Sequence, residues 1–164
     1  MKRYITTLIF ILSVLCFCSC ADDTSEVSNH DRPIINLCSS LEHSDAETYL
    51  NCFVPAAKKD YLNSNSSSSD STDIIDTVIK NSGLEENRSL NCEIIGKREL
   101  ASADREKLER QYKNDYTKNV TFEKAFQIDA SIVSAKGTDV RKFTVVLLDD
   151  SWYIYSKVID KFYF

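Results

Sequence analysis

The sequence has few long apolar runs, and the longest is short for a membrane span. Its longest uncharged apolar stretch is residues 4–17. As a helix rising ~1.5 Å per residue, such a run spans roughly 21 Å. The hydrocarbon core of a bilayer is about 30 Å thick. A permanent transmembrane helix is therefore the weaker interpretation of this stretch.

Positive charge is also scarce. The chain has 20 Lys and Arg against 25 Asp and Glu, which gives a formal net charge of −5. Nucleic-acid binding requires clustered Lys and Arg that neutralise phosphates. We therefore expect no nucleic-acid partner.

The sequence lacks the ligand spacing of a metal site, and only 2 histidines occur among its 164 residues. Structural zinc sites usually pair cysteines as C-x₂₋₄-C, with a second pair elsewhere. The later cysteines, Cys38, Cys52 and Cys92, could formally join His43 in a Cys₃His site, but no two of them are closely spaced. We expect no metal and no other cofactor.

The first residues do have a recognisable order. A cationic start, Met1-Lys2-Arg3, precedes the apolar run, which ends in Phe17-Cys18-Ser19-Cys20. Charged start, apolar stretch and small residue are the parts of an export signal. With its cysteine, the end of the run resembles the lipobox of bacterial lipoproteins. This resemblance implies that residues 1–19 are a signal peptide and that Cys20 receives a diacylglycerol thioether. The protein would then be anchored in the cell membrane by lipid and face the extracytoplasmic side.

The segment after Cys20 is polar and acidic. Residues 20–36 are expected to be a flexible tether between lipid and domain, with His30 as a solvated linker residue. Loss of Lys2 and Arg3 with the signal takes the net charge from −5 to −7. Residues 37–164 are long enough for one domain with its own core.

The first half of this domain has helical periodicity. Ser44 and Glu47 are spaced as a capping box at the start of a helix, which Pro55 should kink or break. A second short helix should then run to about Leu62. Another helix is predicted from Ser71 or Thr72, with Gly83 where a left-handed residue would end it.

The second half changes mainly to a period of two. Residues 90–94 predict a strand with one buried face, residues 102–116 a charged surface helix, and residues 122–159 three further strands. Gly137 supplies the first hairpin turn. The strand around Val145 and Val146 is apolar on both sides, so we expect it to be central. The predicted fold class is α+β, with N-terminal helices packed on a curved, mainly antiparallel four-stranded sheet, and the charged helix between its first and second strands.

Three stretches carry a resemblance to the nuclear-transport-factor-2-like (cystatin-like) roll. They are "AETYLNCFVPAA", "CEIIGKRELASADREKLERQY" and "TVVLLDDSWYIYSKV". The resemblance covers most of residues 41–159 and implies a cavity between helix and concave sheet, which some members use for isomerase or dehydratase chemistry. These stretches supply structural positions only. We assign no catalytic residue, since no pair of side chains places a base beside a reacting group.

Cysteine and tyrosine provide the remaining candidate residues. Cys52 and Cys92 are the favoured disulfide pair, followed by Cys38 with Cys52, and the alternative is that these cysteines are simply small buried hydrophobes. Strand alternation predicts Trp152 in the core, with Tyr153 and Tyr155 facing out as a candidate partner surface.

Three hypotheses for function remain open. The first is a non-enzymatic binding or interaction domain on a membrane-anchored lipoprotein. The second is a small enzyme that uses the cavity of the roll. The third is an acidic inhibitor or self-protection protein at the cell surface, directed at a basic partner. The partly apolar outer face of the sheet, with Ile95, Val146 and Leu148, also suggests a homodimer.

Overall fold

The computed structural model describes residues 28–65, 72–85 and 87–160. In chain order the elements are α1 (Arg32–His43), α2 (Ala46–Asn51), α3 (Pro55–Ser64), α4 (Thr72–Ser82), β1 (Asn91–Glu99), α5 (Ser102–Tyr116), β2 (Lys124–Ser134), β3 (Gly137–Leu148) and β4 (Ser151–Ile154). The α+β class and the four-stranded antiparallel sheet are confirmed. The predicted signal peptide, Cys20 and the first part of the predicted tether lie outside the described residues.

Helix α1 corrects the predicted end of the tether at residue 36. It begins at Arg32, with Pro33 in its first turn, where the fixed φ of proline favours a helix and its missing N–H is not needed. Ile34, Leu37 and Leu41 follow at helical spacing and are fully buried. The domain therefore begins before residue 37, and Pro33 is a helix-start residue, not a linker residue.

The predicted break at Pro55 is confirmed. Helix α2 ends at Asn51, and α3 begins with Pro55 in its first turn. The N-cap of α2 is Asp45, one residue later than predicted: its Oδ1 accepts a 3.0 Å hydrogen bond from the Thr48 N–H. Ser44 instead has a left-handed φ of 58° and ends α1.

The short segment between α2 and α3 lies along the edge of the sheet. Phe53 forms a parallel bridge with Ile154 of β4. The Ile154 N–H donates to the Cys52 carbonyl at 2.7 Å, and the Val54 N–H donates to the Ile154 carbonyl at 3.2 Å. This bridge covers part of an edge that would otherwise expose unpaired backbone groups.

The sheet is an open meander in the order β1-β2-β3-β4. The prediction that β3 is an internal strand is confirmed, because it pairs with β2 on one side and β4 on the other. In β1, the pairing shifts between Ile94 and Gly96, so Ile95 is an extra residue without a partner on β2. The last strand ends at Ile154, earlier than predicted.

Helices cover both faces of the sheet to different extents. The face that carries Ile128, Ile132 and Val145 is fully buried at these positions and forms the main core with α1, α2 and α4. On the other face, Tyr155 contacts Tyr112 of α5, with ring centroids 6.2 Å apart. The charged helix therefore lies opposite the other helices.

The outer face differs from the predicted dimer surface. Val146 has no exposed area, so it is not available to a second copy of the chain. The exposed apolar residues there are Ile95, Val133 and Val140. The homodimer stays a prediction, without Val146 as a contact.

We expect Tyr49→Phe to lower the free energy of unfolding by about 1–3 kcal/mol, because it leaves a buried carbonyl without its donor. Tyr49 has no exposed area, and its hydroxyl donates to the Ile159 carbonyl at 2.6 Å. Urea denaturation measures the loss. The control is Tyr153→Phe, since the described part of the chain contains no bond to that hydroxyl. Equal losses of stability in Tyr49→Phe and Tyr153→Phe would show that the hydrogen bond of the Tyr49 hydroxyl does not stabilise the fold.

Candidate functional site

A surface groove of about 590 Å³ lies where the helices meet the last hairpin. Its walls come from the start of α1, from the end of α2 and from the turn between β3 and β4 with the first residues of β4. The side chains that matter most are three asparagines, one cation, one anion and two aromatic rings: Asn29, Asn36, Asn51, Arg32, Asp150, Trp152 and Tyr153. Ligand sites often combine a few polar groups of this kind with aromatic surface.

Helix geometry places Arg32 and Asn36 in the same wall. They are one turn apart, and both are exposed, while Ile34 and Leu37 on the opposite side of α1 are buried. The same periodicity that anchors α1 in the core therefore presents a guanidinium and an amide to the groove.

The opposite wall of the groove includes the tight turn between β3 and β4. Asp149 and Asp150 both have left-handed backbone conformations, with φ of 51° and 60°. Aspartate tolerates this region better than most residues because its short side chain can bond locally. Of the two, Asp150 lines the groove.

The two charged side chains of the groove have no ion-pair partner in the part of the chain that the structure describes. Neither Arg32 nor Asp150 has an ion-pair partner within residues 28–65, 72–85 and 87–160, and they do not pair with each other. Both remain available to a ligand with complementary charges.

Trp152, the single tryptophan of the chain, joins the groove to an aromatic cluster. Its ring contacts Phe126 and His30 edge-on, with centroids 5.6 Å apart in each case. It is half-buried and packs against the core, and it also lines the groove. Trp152 can therefore report on groove occupancy.

His30 belongs to the domain, contrary to its predicted place in a solvated tether. Its ring stacks on Phe126 with a centroid separation of 4.3 Å and an angle of 4° between the ring planes. Parallel stacking and the contact with Trp152 hold the segment before α1 against the sheet. The aromatic partners are more than 90 residues away in sequence, so local composition could not indicate them.

A polar cluster surrounds this histidine. Ser28 Oγ lies 3.0 Å from His30 Nε2 and also donates to Asp31 Oδ2. Lys97 Nζ of β1 lies 3.5 Å from the same carboxylate oxygen. Asp31 is 6% exposed. Burial of a carboxylate is unfavourable unless it has partners, and Ser28 and Lys97 provide them here.

The cluster does not have the geometry of a nucleophilic triad. In a triad, one imidazole nitrogen accepts the serine proton while the other is oriented by the acid. Here the Ser28 proton goes to the carboxylate, and the same nitrogen, His30 Nε2, faces both Ser28 and Asp31. The arrangement anchors the chain and does not activate Ser28.

Burial lowers the pKa of His30, and Asp31 opposes this shift only in part. Lys97 also lowers this pKa, because its positive charge disfavours a second cation nearby. Neutral His30 is therefore the form that the fold stabilises near pH 7.

The disulfide between Cys52 and Cys92 stays a prediction. All three described cysteines are free thiols. Cys92 interacts with the side chain of Cys38 on α1, whereas Cys52 Sγ donates to the Thr48 carbonyl at 3.1 Å. The helix that contacts β1 is α1, whose residues 32–36 fall within the predicted tether.

The two tyrosines proposed as a partner surface have different surroundings. Tyr153 lines the groove. The Tyr155 hydroxyl donates to Asp115 Oδ2 of α5 at 2.8 Å, and its ring contacts Tyr112 and Phe122. The polar group of Tyr155 is thus already bound within the chain.

Among the described residues, no cluster of His, Cys, Asp or Glu could hold a metal ion, and no helix is long and apolar enough to cross a membrane. Comparison of the chain with protein-family models, curated proteins and solved structures finds no match.

We expect the free energy of unfolding of the wild type to decrease more steeply than that of His30→Phe as the pH falls below 6.5. The folded-state pKa of His30 is lowered from 6.5. The unfolded chain therefore takes up the proton first, and the contribution of neutral His30 is present above pH 6.5 and lost as the pH falls through the folded-state pKa. Each pKa unit of lowering corresponds to about 1.4 kcal/mol.

The measurement is urea denaturation of both variants between pH 8 and pH 5, and Phe keeps an aromatic ring on Phe126. His43→Gln serves as the control, because that ring is exposed at the end of α1. Identical pH slopes for wild type and His30→Phe would show that His30 is not buried as described.

Proposed function

We propose that this protein is a lipid-anchored extracytoplasmic binding protein whose cystatin-like domain takes a small ligand in the groove beside β4. The anchor and the side of the membrane follow from the lipobox-like end of the apolar run, with Cys20 as the lipidated residue. The roll is supported by the order of elements, with helices ahead of an antiparallel meander and a charged helix between β1 and β2.

The ligand class follows from the charges of the groove. Arg32 comes from the wall at α1 and Asp150 from the wall at the last hairpin, and neither forms an ion pair with any residue that the structure describes. A small zwitterion, such as an amino acid or a short peptide with free ends, presents a carboxylate and an ammonium group that match them. The three asparagine side chains can donate to and accept from peptide amides, since each carries both an N–H₂ and a carbonyl oxygen. This pair of opposite charges is the single observation that carries the ligand assignment.

The side chains of the groove are better suited to ligand binding than to catalysis. The groove offers amides, a guanidinium, a carboxylate and aromatic rings, which hold and orient a ligand. The convergent ionisable groups that an enzyme would need are His30 and Asp31, but both contact Ser28, and the His30 ring is stacked on Phe126. Substrate would have to displace the contacts that anchor the start of the domain.

We expect a free alanyl dipeptide to bind and to change the fluorescence of Trp152. Acetylation of its amine or amidation of its carboxylate should each weaken binding about 10-fold, because a hydrogen bond to a charged group contributes about 1.5–3 kcal/mol. Arg32→Gln should remove the preference for the free carboxylate, and Asp150→Asn the preference for the free amine. Asparagine tolerates the left-handed backbone of residue 150.

The matched controls change the same charges outside the groove. Asp149→Asn alters the neighbouring residue of the same turn, which does not line the groove, and Lys107→Gln alters an exposed cation on α5. Both should bind like the wild type. Equal binding of free and blocked dipeptides, or equal loss in Asp149→Asn and Asp150→Asn, would exclude the zwitterion assignment.

We expect Cys20→Ser to abolish membrane anchoring. Acylation at Cys20 adds diacylglycerol, and two buried acyl chains give stable attachment. Intact mass and detergent-phase partition of the exported protein, beside the wild type, measure this. A wild-type chain that is unmodified and released to the medium, or that retains residues 1–19, would show that Cys20 is not a lipid anchor. The groove proposal would be unaffected, because it has a separate test.

A further inference from the structure

The thiols of Cys38 and Cys92 meet across the interface between α1 and β1. Cys38 lies on the buried side of α1 and is 2% exposed. Cys92 is the second residue of β1 and pairs with Ile132, so its side chain is on the face that the helices cover. A side-chain interaction between them contributes to the pKa shift of each thiol. The residues between them include α2, α3 and α4.

The two thiols differ in exposure and in acidity. The interaction with Cys38 lowers the pKa of Cys92, although burial opposes the shift. The same interaction, together with burial, raises the pKa of Cys38. Cys92 is half-buried, whereas Cys38 is almost completely covered. Cys92 is therefore the thiol that an oxidant in solution can reach.

Cys52 does not share these properties. It is 3% exposed, its thiol bonds to a backbone carbonyl, and burial raises its pKa to about 12. It therefore provides an internal comparison for an inert buried cysteine.

We propose that Cys38 and Cys92 form a redox-active dithiol that closes to a disulfide between α1 and β1, with Cys92 as the attacking thiol. Because α1 packs against β1 and each thiol lies on the side that faces the other element, the two side chains can approach to the S–S distance of about 2.05 Å that a disulfide requires. The pair would fasten the first helix, which carries Arg32 and Asn36 of the groove, to the first strand of the sheet.

The reaction needs a disulfide oxidant, for which oxidised glutathione is the probe. The Cys92 thiolate attacks one glutathione sulfur, and a first glutathione thiolate leaves. Cys38 then loses its proton and attacks the Cys92 sulfur of the mixed disulfide, and the second glutathione thiolate leaves. Two glutathione thiols and one protein disulfide result, so two electrons pass from the protein to the oxidant.

The full chain is treated with oxidised glutathione, free thiols are alkylated, and the connectivity is read by non-reducing peptide mapping. We expect one linked pair of peptides that contains Cys38 and Cys92, with Cys52 alkylated. Cys52→Ser should keep this link. Cys92→Ser should abolish it and leave Cys38 unmodified by glutathione, whereas Cys38→Ala should stop the reaction at a glutathione adduct on Cys92.

Thermal denaturation provides a second readout. Oxidation should raise the midpoint in the wild type and in Cys52→Ser, because a cross-link constrains the unfolded chain, and should not raise it in Cys92→Ser. A link from Cys52 to either Cys38 or Cys92, or free thiols at all three of these positions after oxidation, would overturn the proposal. These experiments involve neither the lipid nor a groove ligand, so their failure is distinguishable from failure of the proposed function.

Discussion

The rest of the structure depends on the backbone bridge between the segment 52–54 and Ile154. Pro55 cannot continue the preceding helix, so α2 ends and the chain becomes extended for a few residues. Those residues pair with the last strand through two hydrogen bonds of 2.7 Å and 3.2 Å. An open sheet with a free edge is prone to pair with other chains. The bridge covers that edge with the protein's own backbone and attaches the helices to the sheet.

The groove is a consequence of the same bridge. It brings Asn51 and Cys52 alongside Ser151 and Trp152, and the start of α1 completes the wall. Stacking of His30 on Phe126 then positions the residues just before α1. Charge on His30 would weaken this packing, while a disulfide between α1 and β1 would strengthen the attachment of the same helix. The shape of the groove therefore depends on the position of α1, and both His30 and the Cys38–Cys92 pair influence that position.

Much of the architecture could be predicted from periodicity and from a few special residues. The charged helix 102–116 and the break at Pro55 were predicted at the observed positions, and Gly83 follows α4 with a left-handed φ of 63°. The meander was predicted because alternation persists in each strand. These features depend on local sequence, where spacing and backbone preferences act directly.

The candidate site was missed because it depends on contacts between distant parts of the chain. Arg32 and His30 were assigned to the tether, since the residues before them are polar and Pro33 can belong to a linker as well as to a helix start. The proximity of Cys38 to Cys92 was also missed, because spacing along the chain does not say which helix crosses a strand. Once α1 is recognised, Cys38 falls on its buried side with Leu37 and Leu41, and the contact with β1 follows.

The most direct test of this account is native-state amide hydrogen exchange at Val54 and Ile154, compared with Val145 of the internal strand. Both bridging N–H groups donate to backbone carbonyls. We expect them to be protected and to open together, at a rate close to that of the core. Exchange of either amide at the rate of an unstructured chain would contradict the bridge, and with it the origin of the groove.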